Sequence, residues 1–263
     1  MAKPVVFMFM PSGTRNADMF AMQRFHLEAT QRYQAVCIPR NDSALGKNFN
    51  HGWAMALDAL GKGVTHFVMQ HADAVPCRWF VDVLMDELIA TGADIVSAAI
   101  DIKTRQRLIS TAVGQPGDKW DWRRITAKEM TKLPETFTAA DLSESLTEGG
   151  RTWLLANTGC WICDLRNPLW QRRKPDGSML FEFSQEDRIT FAASGQRRIE
   201  FLPEDYRFSR LIAEAGGTVA VTQKLHVSHI GPTIFPADPV EEADIDQEGI
   251  DFHLARKGLS QET

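Results

Sequence analysis

The alternation of short apolar runs with helical segments over the first hundred residues is the feature that most constrains the fold. Each apolar run is short and bounded by turn residues, which is typical of a buried strand. The runs cover 5–10, 35–38, 65–70 and 94–100, and helical periodicity separates them over 16–29, 44–60 and 79–90. Such alternation predicts an α/β fold with a mostly parallel sheet flanked by helices. Ligands of these sheets bind beyond the carboxyl ends of the strands, so we expect a site there.

The remainder of the chain changes character twice. The segment from about 101 to 152 lacks a long period and predicts an insertion of short elements. After it, the sequence predicts one or two strands over 153–163, a helix over 203–215, and a strand over 219–227 that continues to Gly231.

Length and charge narrow the class of protein. The 263 residues suit one large domain, which we place at 1–235, followed by a C-terminal tail over 236–263. The formal net charge of −5 weighs against broad nucleic-acid binding, although a local basic groove stays open. Two small basic clusters, at 123–124 and 172–174, are expected to be solvated loops.

Neither a targeting segment nor a disulfide framework is expected. The N-terminal apolar run is too short for a signal peptide, and no stretch reaches the ~20 apolar residues of a transmembrane helix. We therefore expect a soluble, cytoplasmic protein. Cys160 and Cys163 form a lone C-x-x-C without the second pair or histidines that a structural zinc site needs, so we expect buried free thiols.

Three sets of polar side chains lie where chemistry is expected. Asp73 follows the strand 65–70, where a carboxylate can hold a hard cation while a nucleotide diphosphate supplies further oxygens. Glu204 and Asp205 open the helix over 203–215, and His229 lies near the end of a strand. Each also has an ordinary explanation as a turn former, a helix cap or a structural histidine. Their order along the chain is more informative than any one of them.

In that order the three sets resemble family 2-like glycosyltransferases with the GT-A fold. In those enzymes a strand ends in Asp-x-Asp, a Glu-Asp pair opens a later helix, and His-x-Gly follows a further strand. The corresponding segments here are HAD, PEDYRFSRLIAEAGG and TVAVTQKLHVSHIG. The similarity covers roughly 3–100 and 153–235, and its most specific part runs from Glu204 to Gly231.

The resemblance implies a GT-A type, Rossmann-like sheet and a metal-dependent, inverting transfer of a sugar from a nucleotide-diphosphate sugar to a hydroxyl acceptor. It implies that Asp205 is the general base, with Glu204 as the alternative, and that Asp73 and His229 hold Mn²⁺ or Mg²⁺. The expected donor is a UDP- or GDP-linked sugar. The acceptor stays open between a saccharide, a lipid-linked sugar, a protein and a modified nucleic-acid base.

The resemblance also implies where the donor binds. The segment ALGKNFNHGWAMAL resembles the Arg-Asn helix that contacts the donor, with Lys47 in place of the Arg, and NTGCWICDLR resembles the glycine-containing strand beside the donor sugar. The insertion and the tail are the expected acceptor contacts, where Trp120 and Trp122 either stack on a ring or form a hydrophobic cluster. The residues expected to contact the donor are Pro11, Ser12, Thr14, Asn41, Asp42, Lys47, Asn48, His71 and Gly159.

One position departs from the family pattern, because His71 stands where the first Asp of Asp-x-Asp is expected. Histidine can ligate Mn²⁺ or donate a hydrogen bond to ribose, so His71 is a third candidate metal ligand, but it does not supply the same negative charge. Two other functions therefore stay open. One is a non-catalytic nucleotide-sugar-binding module. The other is a nucleotidyltransferase, although such enzymes usually carry a glycine-rich basic loop after the first strand and 11–15 contains one glycine.

Overall fold

The computed structural model describes residues 3–13, 18–102 and 108–230, together with the backbone of 234–235. The helices of four or more residues in the α conformation are α1 (Met19–Leu27), α2 (Leu45–Ala59), α3 (Phe80–Thr91), α4 (Ala127–Met130), α5 (Glu144–Thr147) and α6 (Glu204–Glu214). The strands are β1 (Val5–Ser12), β2 (Gln34–Asn41), β3 (His66–Gln70), β4 (Ala74–Pro76), β5 (Ile95–Ala98), β6 (Leu108–Gln115), β7 (Asp118–Thr126), β8 (Thr136–Thr138), β9 (Trp153–Leu155), β10 (Cys160–Asp164), β11 (Glu186–Phe191), β12 (Arg197–Leu202), β13 (Val219–Thr222), β14 (Val227–Ile230) and β15 (Ile234–Phe235).

Seven strands form the central sheet in the order β2-β1-β3-β10-β5-β13-β8. The strands β1, β2, β3, β5 and β13 run in one direction, whereas β10 and β8 run against them. The expected mixed α/β architecture with a large, mostly parallel sheet flanked by helices is thus confirmed. The sequence pattern did not predict the antiparallel β10 at the centre.

The core lies on both faces of this sheet. One apolar cluster holds the aromatic rings of Phe67, Trp161 and Phe208, and the other packs α1 and α3 against the opposite face. Because Cys160 and Cys163 are three positions apart on one strand, their side chains enter opposite clusters. Both thiols are free, and burial raises the pKa of each, which agrees with the expected buried thiols.

Several element boundaries differ from the expected ones for identifiable reasons. The strand predicted over 35–38 extends across Pro39 to Asn41, because β2 is an edge strand whose outer N–H groups need no partner. The single strand predicted from 219 to 231 is instead two strands in different sheets, since β14 pairs with β4 and β15. The segment 153–163 gives both β9 and β10, which also belong to different sheets.

The predicted insertion is more ordered than a set of short elements. Its strands β6 and β7 are eight and nine residues long and pair in a three-stranded sheet with β9. The basic cluster at 123–124 lies on β7 and not in a solvated loop, and Arg123 donates two hydrogen bonds to Glu129. A second hairpin, β11–β12, had no counterpart in the sequence prediction.

Two further expectations concern the C-terminal tail and membrane-spanning helices. The tail over 236–263 lies outside the described residues. Within the described ranges, no helix is long and apolar enough to cross a membrane.

A glycine sets the distance between α2 and the sheet, which matters because α2 carries Lys47 and Asn48. A Cβ at Gly52 would lie 2.4 Å from the buried ring of Phe9 on β1. The helix therefore packs at a distance that only glycine permits.

We expect Gly52→Ala to destabilise the protein by about 1–3 kcal/mol, although alanine is the better helix former, because the added methyl overpacks this contact. The measurement is the melting temperature, which should fall by several degrees. Gly61→Ala is the control, since nothing lies within 4 Å of a Cβ there. Equal melting temperatures for the two variants would contradict the close contact.

Candidate functional site

Asp73 and His229 meet beyond the carboxyl end of β3. The residue pairing of β4 with β14 places His229 opposite Ala74, and the backbone N–H of Ile230 donates to the carbonyl oxygen of Asp73 at 2.8 Å. His229 Nε2 then lies 3.6 Å from Asp73 Oδ2. The other ring nitrogen, Nδ1, lies 2.9 Å from the carbonyl oxygen of Asp101. Two residues far apart in sequence are therefore brought together.

The hydrogen bond to Asp101 determines which nitrogen of His229 faces Asp73. A carbonyl oxygen only accepts, so Nδ1 carries the proton and donates it. In the neutral ring, Nε2 is therefore the unprotonated nitrogen, and it lies 3.6 Å from a carboxylate oxygen of Asp73. A carboxylate with an imidazole fixed through its far nitrogen is a donor set that fits a divalent cation such as Mn²⁺.

His71 points elsewhere. Its Nε2 lies 3.5 Å from the hydroxyl of Thr158, and its ring centroid is 4.9 Å from that of the buried Phe49. Its backbone N–H donates to the carbonyl oxygen of Gly159 at 2.8 Å. Among the residues that the structure describes, no group of three or more His, Cys, Asp or Glu side chains is arranged to hold a metal. His71 therefore does not complete a three-ligand cluster with Asp73 and His229.

Gly159 lies close beside this edge of the sheet. A Cβ on it would lie 2.8 Å from the side chain of Ile100 and 3.0 Å from Asn157 Oδ1. The backbone N–H of Gly159 donates to that same Asn157 oxygen at 2.8 Å. The expected donor-site glycine is thus required by close packing, whatever it binds.

The expected donor residues on β1, β2 and α2 gather at one corner of the sheet. Ser12 pairs with Asn41 in register, and the backbone N–H of Asp42 donates to the carbonyl oxygen of Ser12 at 3.0 Å. Lys47 Nζ lies 3.1 Å from Asp42 Oδ2, and its side chain is 72% exposed. The hydrogen bond from the backbone N–H of Ala44, and then the contact with Lys47, hold the pKa of Asp42 below its usual range. Pro11 lies next along β1, and Thr14 lies outside the described residues.

Asn48 connects β1 and β2 at this corner from a buried position on α2. It is fully buried, and its amide nitrogen donates to the carbonyl oxygens of Arg40 and Ser12 at 3.0 and 3.4 Å. Its amide oxygen is also buried and has no hydrogen-bond partner within the described part of the chain. The Asn48 side chain therefore links the ends of β1 and β2 by hydrogen bonds, and its own amide oxygen is left unsatisfied among the described residues.

The acidic pair opens α6. Glu204 and Asp205 occupy the first turn, and no side chain caps the helix because Pro203 holds the cap position. Burial, and then the neighbouring charge of Glu204, raise the pKa of Asp205 to about 8. Burial likewise raises the pKa of Glu204. A partly exposed carboxyl whose pKa lies near neutral pH has the property required of a general base.

Two aromatic rings and the guanidinium of Arg124 form a cluster beside Asp205. The backbone N–H of Tyr206 donates to Asp205 Oδ1 at 2.8 Å, and the Tyr206 ring meets that of Trp122 edge to face, with centroids 5.0 Å apart. Arg124 lies 5.4 Å above the Trp122 ring, and its charge acts to lower the pKa of Asp205. Arg124 Nε is buried without a hydrogen-bond partner among the described residues. Trp122 thus forms part of a cluster, and Trp120 stacks with Arg188 and Lys119.

The segment 156–159 joins the two halves of the site. Its backbone N–H at Ala156 donates to the hydroxyl of Ser209 on α6 at 3.0 Å. Its other end accepts from the backbone of His71, and Asn157 donates to the carbonyl oxygen of Ala98 at 2.8 Å. The helix that carries Asp205 is therefore connected to the end of β3 by direct hydrogen bonds.

Three residues at this site were not singled out from the sequence. Asp101 acts through its backbone carbonyl, which no side-chain motif can indicate. Arg124 was assigned to a solvated cluster because its neighbour Arg123 made a basic doublet. Asn157 stands inside the quoted segment NTGCWICDLR, where its position two residues before Gly159 was the available signal.

Comparisons with known proteins give no family. No family model and no curated protein match the chain. Similar solved structures include A197 from STIV, with 13% identity over 91% of this chain and 97% of that one and a TM-score of 0.46. Two proteins described as UDP-N-acetylglucosamine pyrophosphorylases are also similar. The one from Trypanosoma brucei has 15% identity, 63% and 30% coverage and a TM-score of 0.31. The one from Entamoeba histolytica has 10% identity, 81% and 57% coverage and a TM-score of 0.34.

The chain thus spans less than two thirds of the length of either pyrophosphorylase. Because all three TM-scores lie below 0.5, these neighbours do not decide the function.

The raised pKa of Asp205 makes its ionisation costly to the folded state. The folded protein keeps this proton up to about pH 8, whereas the unfolded chain loses it near pH ~3.9. Stability contributed by the protonated carboxyl is therefore complete below pH ~4 and is lost progressively as the pH rises to about 8.

We expect Asp205→Asn to melt at a higher temperature than wild type at pH 8 and at nearly the same temperature at pH 4, because the amide never ionises. Thermal unfolding at the two pH values measures this difference. Asp58→Asn, at an exposed position on α2, is the matched control and should show no such growth with pH. A difference that stays constant between the two pH values would contradict the raised pKa.

Proposed function

We propose that this chain is a metal-dependent, inverting glycosyltransferase of the GT-A type, which moves a sugar from a UDP- or GDP-linked donor to a hydroxyl acceptor. The observation that carries the proposal is the approach of Asp73 to Nε2 of His229, 3.6 Å apart, beyond the carboxyl end of β3. The second part of the proposed site is Asp205, whose raised pKa suits a general base. The linking segment 156–159 connects these two parts of the site.

Asp73 and His229 are the residues that would hold the divalent cation. The tautomer fixed by Asp101 leaves Nε2 available as a ligand, and Asp73 supplies the hard oxygen. A cation held there would supply positive charge to the diphosphate leaving group. His71 is proposed to face the donor and not the metal, since its side chain lies beside Thr158 and Phe49.

The donor nucleotide is proposed to bind at the corner formed by β1, β2 and α2. Pro11, Ser12, Asn41 and Asp42 offer backbone groups and a carboxylate for the base and ribose. Lys47 is an exposed cation at this corner, and its pairing with Asp42 can be exchanged for a phosphate oxygen. The sugar would lie toward Gly159, where the backbone is closely packed.

Asp205 is proposed to take the acceptor's proton. The acceptor oxygen attacks the anomeric carbon, its proton moves to the Asp205 carboxylate, and the bond to the diphosphate breaks. Displacement by a single attack inverts the anomeric centre. Asp205 must be ionised for this step, and the charge of Arg124 favours that form. The acceptor is proposed to be a hydroxyl compound, such as a saccharide or a modified nucleic-acid base.

The proposal predicts that release of nucleoside diphosphate from a UDP- or GDP-sugar requires Mn²⁺ and rises with pH through about 8, as Asp205 loses its proton. Asp205→Asn should lower this release by about 10²–10⁴-fold while leaving donor binding intact, because a positioned base contributes that much to rate. The assay compares release with donor affinity from calorimetry, and Asp58→Asn serves as control. If Asp205→Asn released nucleoside diphosphate as fast as wild type, Asp205 would not be the general base. If wild type released no nucleoside diphosphate from any UDP- or GDP-sugar, the glycosyltransferase proposal would be rejected.

A further inference from the structure

The hairpin β11–β12 has two chemically different faces. Its register pairs Ile189 with Ile199 at the centre, Asp187 with Phe201 near its base, and Phe191 with Arg197 near its tip. Because side chains alternate across a strand, these six side chains lie on one face. This face is called the open face below.

The open face is apolar and exposed at its centre. Ile189 and Ile199 are 70% and 73% exposed, Phe191 is 64% exposed and Phe201 is 42% exposed. A two-stranded hairpin with one bare apolar face is marginal in water, so a concentration of large exposed side chains on it indicates a contact surface.

The opposite face is occupied and its charges are paired. Glu200 pairs with both Arg188 and Arg198, and the Arg188 guanidinium lies 4.6 Å above the Trp120 ring on β7. That face therefore packs back onto the protein and leaves the open face toward solvent.

The two charged side chains on the open face, Asp187 and Arg197, lie at opposite corners of it. Neither Asp187 nor Arg197 has an ion-pair partner within the described part of the chain, although Arg197 also lies 5.7 Å from the Phe191 ring. One is at the base of β11 and the other at the tip of β12, so they occupy diagonal corners around the apolar centre. A surface with an acid and a base at opposite corners is complementary to itself.

We propose that the open face binds the same face of a second copy of this chain, which makes the protein a two-fold dimer. A two-fold axis that lies in the interface and crosses the strands places the tip of one hairpin over the base of the other. Asp187 of each copy then lies at the same end as Arg197 of the other, about one strand spacing, ~5 Å, to the side. The four apolar side chains pack between these two ion pairs, which is the symmetry that an isologous interface requires.

The test is the mass of the full chain in solution, measured by sedimentation equilibrium over a concentration series. We expect a monomer–dimer equilibrium, and we expect Ile189→Glu to raise its dissociation constant at least about 30-fold, since a charge would replace a central apolar contact. Ile89→Glu is the matched control, because Ile89 is 71% exposed on α3 and should leave the equilibrium unchanged.

A charge exchange tests the two-fold arrangement. Arg197→Glu and Asp187→Lys should each weaken the dimer, and the double variant should restore it, because each copy again presents opposite charges. Circular dichroism and melting temperature confirm that every variant is folded. A monomer at all concentrations, a dimer that survives Ile189→Glu, or a double variant no better than the single ones would overturn the proposal.

Discussion

The position of β10 is the constraint on which the rest of the site depends. It runs antiparallel between β3 and β5, and its pairing with both is uninterrupted over its central residues. The chain that leads into it, 156–159, must therefore cross the carboxyl edge of the sheet, where it meets His71 and Ser209. The small β4–β14 sheet adds His229 to the same edge. If β10 were displaced, Gly159 and the helix carrying Asp205 would lose their fixed relation to β3.

The site concentrates features that cost stability. Asp205 is held in surroundings that disfavour its charge, Arg124 Nε lacks a hydrogen-bond partner among the described residues, and so does the buried amide oxygen of Asn48. Buried polar groups of this kind are rare in an ordinary core. Asn48 belongs to the proposed donor corner, and Arg124 and Asp205 to the proposed catalytic part. Unfavourable arrangements at these positions are consistent with a binding and catalytic role, because functional sites are where proteins retain them.

The sequence predicted the strands and helices that have a local pattern. It predicted less well the features that depend on contacts between distant segments. The strand–helix alternation of the first hundred residues predicted β1, β2, β3 and β5 and their helices but not β4. The family resemblance paired Asp73 with His229, which lie 3.6 Å apart. The antiparallel direction of β10 was not predictable, because an apolar run has no direction and both faces are buried. The tautomer of His229 depends on a backbone carbonyl, and the raised pKa of Asp205 depends on burial by residues from other segments. The hairpin β11–β12 was overlooked although apolar and polar residues alternate along both strands and the connection between them contains Ser194-Gly195, which are strand and turn signals.

The central claim is that Asp73 and His229 hold a divalent cation together with a nucleoside diphosphate. Pulsed electron paramagnetic resonance of Mn²⁺ bound to the full chain tests it most directly, with UDP or GDP present. The account predicts a nitrogen coupling from one imidazole, which disappears in His229→Gln, together with a phosphorus coupling from the nucleotide. A manganese spectrum without nitrogen coupling, or one that His229→Gln leaves unchanged, would contradict it.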